Sequence, residues 1–210
     1  MLINNTYINP RALTATWPFV VLWLLFVVVY KWRTGKHWSD LSLIAMIIFS
    51  FYITKVMSMT MLPIFIYHFW YVGDMFGFGQ QVDFVHLNPV RAFDYFPSWF
   101  WFEQFFGNFI MLTPFGIMAP YVFPRLRKLW QVGLLAFGVS LSIETYQFVF
   151  SYFYITARYF ETSDLILNTT GALIGFGIWR LVMRHSQHVH HLYEHRLANE
   201  PQYLRDLFNK

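Results

Sequence analysis

Long apolar stretches separated by short polar breaks run through the chain. Five of them, approximately Leu13–Trp32, Leu41–Ile64, Trp101–Val122, Leu129–Phe150 and Leu165–Met183, are predicted as helices. Each is close to the roughly 20 residues that a helix needs to cross a hydrocarbon core about 30 Å thick. In such a medium every backbone N–H and C=O must be bonded within the protein, which a helix achieves within one segment. A sixth apolar region, Ile64 to Phe100, is punctuated by Pro63, Gly73, Gly77, Gly79, Pro89 and Pro97 and carries Asp74, Asp83, Arg91 and Asp94. It reads as an aromatic interfacial loop, with a partly re-entrant course as a variant, and not as a spanning helix. The expected fold is therefore all-α: one polytopic membrane helix bundle over residues 1–210, with five transmembrane helices and a long aromatic extracytoplasmic loop between the second and third.

Composition sharpens this picture. Charged residues make up 12% of the chain and hydrophobic residues 57%, and there is no cysteine. Soluble domains carry roughly twice that share of charge. The same figures exclude disorder, disulfide scaffolds and cysteine-based metal or iron–sulfur sites. The net charge of +4 lies in clusters beside apolar segments, not in a continuous basic stripe, so a nucleic-acid partner is not expected. Lys31, Arg33, Lys36, Arg125, Arg127, Lys128, Arg180, Arg184, Arg196, Arg205 and Lys210 fall on one side of the five segments, and only Arg11, Arg91 and Arg158 on the other. Excess Lys and Arg mark the cytoplasmic side. The expected topology places the N-terminus outside and the C-terminus, with a 184–210 juxtamembrane tail, in the cytoplasm. Residues Met1 to Ala12 lack a basic n-region and a small-residue cleavage site, so the first apolar run is expected to stay as an anchor.

Ionisable groups at membrane depth cost a few kcal/mol and usually face a bundle interior. Lys55 in the second run and Glu144 in the fourth are such groups. At a rise of about 1.5 Å per residue they come to similar depth below the outer surface, so Lys55 and Glu144 are expected to pair or to share a polar network. Ser140, Glu144, Gln147 and Ser151 are spaced to share one helix face, and Asp164, Asn168, Gly171 and Gly175 repeat that spacing in the fifth run. Gln104 and Asn108 supply a third stripe, followed by Pro114, which is expected to kink its helix. Gly171, Gly175 and Gly177 are expected to let a neighbouring helix approach closely. Asp164 falls where an N-cap carboxylate is useful.

The run Asn108-x5-Pro114-Phe115-Gly116, then Ser140-x3-Glu144-x2-Gln147, then Asp164-x3-Asn168-x2-Gly171 resembles the VanZ-like family of bacterial membrane proteins, named for a teicoplanin-resistance protein. The resemblance covers roughly Val85 to Arg180. Upstream, where the family often has Asn-Leu-Ile-Pro-Phe-Arg, this chain has His86-Leu87-Asn88-Pro89-Val90-Arg91, keeping the proline and the arginine. The resemblance implies an integral protein of the cell envelope, linked in some members to lowered glycopeptide susceptibility. It supplies no mechanism and no catalytic residue.

The residues themselves nominate an outward-facing polar, ligand-binding cluster of Lys55, Arg91, Asn108, Glu144, Gln147, Asp164 and Asn168. Glu144 is the candidate catalytic residue: a carboxyl in low dielectric beside an amide and near a cation is what a proton relay or general base uses. A structural alternative stands beside this, since polar side chains also fix helix register in membranes, at about 0.6 kcal/mol per bond. Asp164 as an N-cap would be structural. Aromatics, 22% of the chain, crowd the long loop and read as interfacial anchors, with a binding platform around Arg91 as the alternative. His185, His188, His190, His191 and His195 lie in the tail, where a solvated interfacial helix is a better reading than a metal site. No Walker, Rossmann, Gly-x-Ser-x-Gly or His-Glu-x-x-His motif occurs.

No cofactor and no metal are expected. The expected partners are membrane lipids and an amphipathic envelope ligand, such as a lipid-linked cell-wall precursor, a phospholipid or a lipoglycopeptide. An intramembrane enzyme acting on a lipid headgroup, with Glu144 as acid or base, and a proton-coupled transporter remain as alternatives.

Overall fold

All five long apolar runs are helical over most of their length in the computed structural model, which describes residues 2–3, 6–34, 40–79, 84–90, 98–123, 126–186 and 191. The helices are α1 (Trp17–Thr34), α2 (Asp40–Met61), α3 (Phe69–Phe76), α4 (Ser98–Met111), α5 (Thr113–Val122), α6 (Leu129–Tyr152) and α7 (Thr162–His185). Among the described residues, short strands form three two-stranded pairs: β1 (Leu2–Ile3) with β2 (Thr6–Tyr7), β3 (Arg11–Leu13) with β4 (Ile64–Ile66), both antiparallel, and β5 (Val85–His86) with β6 (Phe160–Glu161), parallel.

Several element boundaries differ from the sequence reading for local reasons. The first run begins as strand at Leu13 and becomes helix at Trp17, where the Thr16 carbonyl accepts from the N–H groups of Phe19 and Val20. The second helix ends at Met61, two residues before Pro63, and Ile64 pairs with Leu13 instead of extending the helix. The third run is two helices, not one. Leu112, at φ −98° and ψ 4°, interrupts it, and Pro114 in the first turn of α5 brings no N–H to the ladder. At the start of α6 the Gln131 side-chain oxygen accepts from the backbone N–H groups of Arg127 and Lys128 at 3.1 and 3.0 Å, closing the first turn.

The bundle is organised around α7, which packs against α4, α5 and α6, while α1 leans on α2 and α2 touches α5 and α6. Small residues make the central contacts possible. A Cβ on Gly171 would run into the carbonyl oxygen of Phe109, one on Gly175 into that of Thr113, and one on Gly116 into that of Ala172. The close approach expected of Gly177 is not made, since nothing lies within 4 Å of its missing Cβ. Phe49, Leu112, Phe115, Ala119, Ala136 and Ala172 form the buried apolar core between these helices.

Among the described residues, one end of the bundle carries the short strand pairs and the turn after α6. Pairing of β3 with β4 brings the start of α1 to the end of α2, and pairing of β5 with β6 brings the segment before α4 to the start of α7. The turn after α6 is tied into the same end by Phe65 N–H to the Ile155 carbonyl at 2.7 Å and by Gly79 N–H to the Tyr152 carbonyl at 3.2 Å. Ile3, Val72 and Tyr154 are its buried core. Tyr154 sits at φ 59° and donates its hydroxyl to the Gly77 carbonyl at 2.7 Å, while Tyr67 donates to the Phe153 carbonyl at 2.8 Å. Burial raises both tyrosine hydroxyls above the usual range. This capped end is where the site lies.

Burial is distributed inside out. On α6 the buried set includes Ser140, Glu144, Gln147 and Ser151, while Leu134, Phe137, Leu141, Phe148 and Val149 are exposed. On α7 Asn168 is buried, and Ile166, Ile174, Ile178 and Leu181 face outward. Both helices are 24 residues long and apolar enough to cross a membrane, yet only 33% and 28% of their most apolar windows are buried within the protein. The core helix of a water-soluble protein would be mostly buried. Apolar surface on this scale needs an apolar surrounding.

Candidate functional site

Two turns of α6 and two of α7 build the site. The four polar residues of α6 recur on one face, and Asp164 and Asn168 do the same on α7. The two faces meet: Asn168 Nδ2 donates to Ser140 Oγ at 3.0 Å, and both residues are fully buried. One turn nearer the capped end lie Glu144 and Asp164. Asp164 Oδ1 accepts from Asn108 Nδ2 of α4 at 2.6 Å. Glu144, 1% exposed, accepts one hydrogen bond among the described residues, from the backbone N–H of Glu161 at 2.9 Å. Three helices thus contribute to one polar seam.

Glu161 joins this seam from the loop. Its Oε1 meets His86 Nδ1 at 3.3 Å, and its Oε2 accepts from the Ser163 hydroxyl at 3.2 Å. The His86 ring also stacks on Tyr159, with centroids 5.0 Å apart. The carboxylates of Glu144, Glu161 and Asp164 are within electrostatic reach of one another, and the Arg158 charge is within reach of Asp164. The Arg158 guanidinium makes its hydrogen bonds elsewhere: Nη2 donates to the carbonyls of Met59 and Leu62 at 2.9 and 3.0 Å, holding the end of α2 against the loop. Ser151 braces that loop, donating to the Arg158 carbonyl at 2.7 Å and accepting from its N–H at 3.2 Å.

Asn108, Glu144, Asp164 and Asn168 therefore come together. Gln147 is buried one turn away and points to α2, where Nε2 donates to the Thr60 carbonyl at 3.1 Å. Lys55 does not join them, and the expected Lys55–Glu144 ion pair is not formed. On α2 the buried positions Phe49, Val56 and Thr60 define the inward face, whereas Lys55 is exposed and shares the outward face with Ile48, Phe51 and Met59. Depth alone placed it beside Glu144; its direction around the helix takes it away. Gln104 is exposed as well. Arg91 lies outside the described residues, as do Asp83, Asp94, His188, His190 and His195.

The N-cap role expected of Asp164 is also corrected. Helix α7 begins three residues earlier than its apolar run, with Glu161 at the cap, so Asp164 falls in the first turn and bonds Asn108 across to α4. The sequence reading missed Glu161 and His86 as site residues and Arg158 as a clamp. The one available signal was the Val85-His86 segment at the edge of the motif that resembles the family's Pro–Arg loop. Among the described residues, no three His, Asp or Glu side chains are gathered closely enough to hold a metal ion.

A buried polar seam inside helices that present apolar residues outward is the arrangement of a membrane protein. The comparison with known families agrees. The family model described as VanZ/LLP1 matches residues 19–183, and the chain belongs to the VanZ-like family. That membership ties it to a group of membrane proteins associated with glycopeptide resistance. No curated protein and no solved structure matches the chain.

Proposed function

We propose that the chain crosses the membrane five times, through α1, α2, α4 with α5, α6 and α7, with its capped end extracytoplasmic and its C-terminus in the cytoplasm. We further propose that the seam beneath the cap binds the polar head of an amphipathic envelope ligand: a lipid-linked precursor, a phospholipid or a lipoglycopeptide. Engagement of such a ligand would link the protein to glycopeptide susceptibility, the property associated with its family. Lys and Arg excess on the opposite side supports the orientation. The ligand reading rests on one observation above all: Glu144 is 1% exposed, lies within helix α6, and among the described residues is bonded by a single backbone N–H. An ionisable group with so few partners at that depth is a functional candidate by default. Arg91, five residues after β5 in the sequence and outside the described residues, is assigned by its charge to the anionic part of the ligand, and the aromatics of the 64–100 region to its apolar part.

The test is native mass spectrometry of detergent-extracted protein with lipidomic analysis of what copurifies. Wild type should retain one amphiphile class that Glu144→Gln releases, with the variant still monodisperse and helical. Identical lipid content in the two proteins would refute the reading. Consumption of the bound molecule by purified protein would instead make Glu144 the acid or base of an intramembrane enzyme.

A further inference from the structure

The polar seam is unbalanced. Among the described residues it brings together the carboxyl groups of Glu144, Glu161 and Asp164 with few groups that donate to them. The described donors are one backbone N–H for Glu144, the Asn108 amide for Asp164, and the Ser163 hydroxyl with the His86 ring for Glu161. Arg158, the cation within reach of Asp164, has its hydrogen bonds on the carbonyls of Met59 and Leu62. A second, independent observation lies one turn deeper. Asn168 is 1% exposed, and while its Nδ2 donates to Ser140, its Oδ1 has no partner among the described residues. Exchanging the two ends of that amide would leave its NH2 group unpartnered instead, so one buried polar atom is orphaned either way. Buried polar atoms without partners are rare, and each signals a missing occupant or a cost of roughly 1–3 kcal/mol.

We propose that the seam is a receptor for a primary ammonium group carried on an amphiphile. This deepens the ligand reading above and rests on it: it names the chemistry of the head. A primary ammonium has one positive charge and three N–H donors and no acceptor, which complements an acceptor-rich seam. A metal ion needs oxygen ligands converging to about 2–2.6 Å, and the described side chains form no such group. An ammonium takes its acceptors at about 2.8–3 Å along three directions. The partly exposed His86 and Glu161, with side chains 16% and 19% exposed, mark the entrance, and Glu144 and Asn168 the floor.

The experiment uses the full chain in detergent micelles and wild-type binding isotherms for a set of probes: dodecylamine, dodecyltrimethylammonium, dodecyl phosphate, free ethanolamine, and phosphatidylethanolamine against phosphatidylcholine in mixed micelles. Dodecylamine and phosphatidylethanolamine should bind saturably and at least tenfold tighter than their methylated counterparts, which carry the charge without N–H donors. Binding by free ethanolamine at similar strength would identify a soluble amine as the ligand; binding only by the chain-bearing probes would identify a lipid head. Glu144→Gln and Asp164→Asn, both near-isosteric, should each weaken dodecylamine by tenfold or more, while Ser142→Ala, on the exposed face of α6, should leave it unchanged. Equal binding of dodecylamine and dodecyltrimethylammonium would overturn the ammonium assignment. So would ammonium binding that appears only after Arg91→Ala, because the chain's own guanidinium would then be the occupant. Glu144-dependent binding of dodecyl phosphate alone would overturn the ammonium assignment and leave the ligand reading standing. Absence of Glu144-dependent binding by every probe, with no Glu144-dependent lipid in the copurification experiment, would remove both.

Discussion

Substitution of alanine for single glycines along α7 gives a sharp test of how the bundle is held. A glycine in a helix is about 1 kcal/mol less favourable than alanine, so a Gly→Ala change that meets empty space should stabilise by about that amount. Gly177 is that case, with nothing within 4 Å of the added Cβ. Gly171 is the opposite: the same methyl group would collide with the backbone carbonyl of Phe109 and press on the Thr113 hydroxyl, which is itself bonded to Phe109. A backbone atom in another helix cannot rotate aside, so α4 and α7 must separate. Overpacking of this kind costs about 1–3 kcal/mol. Relative to Gly177→Ala, Gly171→Ala should therefore be less stable by about 1–3 kcal/mol, because the helix-propensity gain is common to both and only the overpacking differs. Gly175→Ala and Gly116→Ala should behave like Gly171→Ala, because their methyl groups meet the carbonyls of Thr113 and Ala172. Unfolding of the purified variants by SDS titration in mixed micelles, followed by circular dichroism, measures the difference. Equal stability of Gly171→Ala and Gly177→Ala would refute the packing around α7.

Other substitutions report on the capped end and the seam. Arg158→Ala removes two charge-assisted bonds to the end of α2 and should destabilise by about 1–3 kcal/mol, the half-exposed site lowering the full value; protease sensitivity of the 153–161 loop should rise, and an unchanged digestion pattern would count against the clamp. A double-mutant cycle of Asn108→Ala and Asp164→Asn should return a coupling of about 0.5–2 kcal/mol, whereas additivity would mean that the 2.6 Å contact carries no energy. Burial raises the Tyr67 and Tyr154 hydroxyls above the tyrosine reference of 10.0, so the stability they contribute is complete below pH 10 and is lost as pH climbs past it. Tyr67→Phe with Tyr154→Phe should flatten that alkaline decline in a pH series of melting curves. Because the chain has no cysteine, single Cys substitutions at Leu87 and at His185 suffice to map topology. In intact cells an impermeant maleimide should label the first and not the second, and the reverse pattern would invert the proposed orientation.

Parts of this arrangement were legible in the sequence and parts were not, for physical reasons. Helices α6 and α7 were readable because long apolar runs were marked by polar residues at helical spacing, and the predicted spans 129–150 and 165–183 fall inside Leu129–Tyr152 and Thr162–His185. The facing of Asn168 to Ser140 and the closeness of Gly171 and Gly175 to a neighbouring helix follow from the same periodicity. Lys55 was misplaced because the small polar residues of α2, Ser50, Thr54, Ser58 and Thr60, are spread around the helix and single out no inward side, so depth was the guide. Glu161, His86 and Arg158 were invisible because two-residue strand pairs and loop clamps join residues 75 to 99 positions apart, and no periodicity encodes such contacts. Asp164 was read as a cap because the helix start was set by the first apolar residue, whereas the fold extends α7 back through Thr162.

Photo-crosslinking bears most directly on the claim that the seam under the cap binds an amphiphile. A dodecylamine analogue carrying a diazirine near its head would be equilibrated with the full chain and irradiated, and the adducts mapped by peptide mass spectrometry. Adducts concentrated on residues 84–90, 140–147 and 158–168, displaced by excess dodecylamine and lost in Glu144→Gln, are the predicted result. Adducts spread over the outward apolar faces of α1, α6 and α7, and indifferent to Glu144, would contradict it.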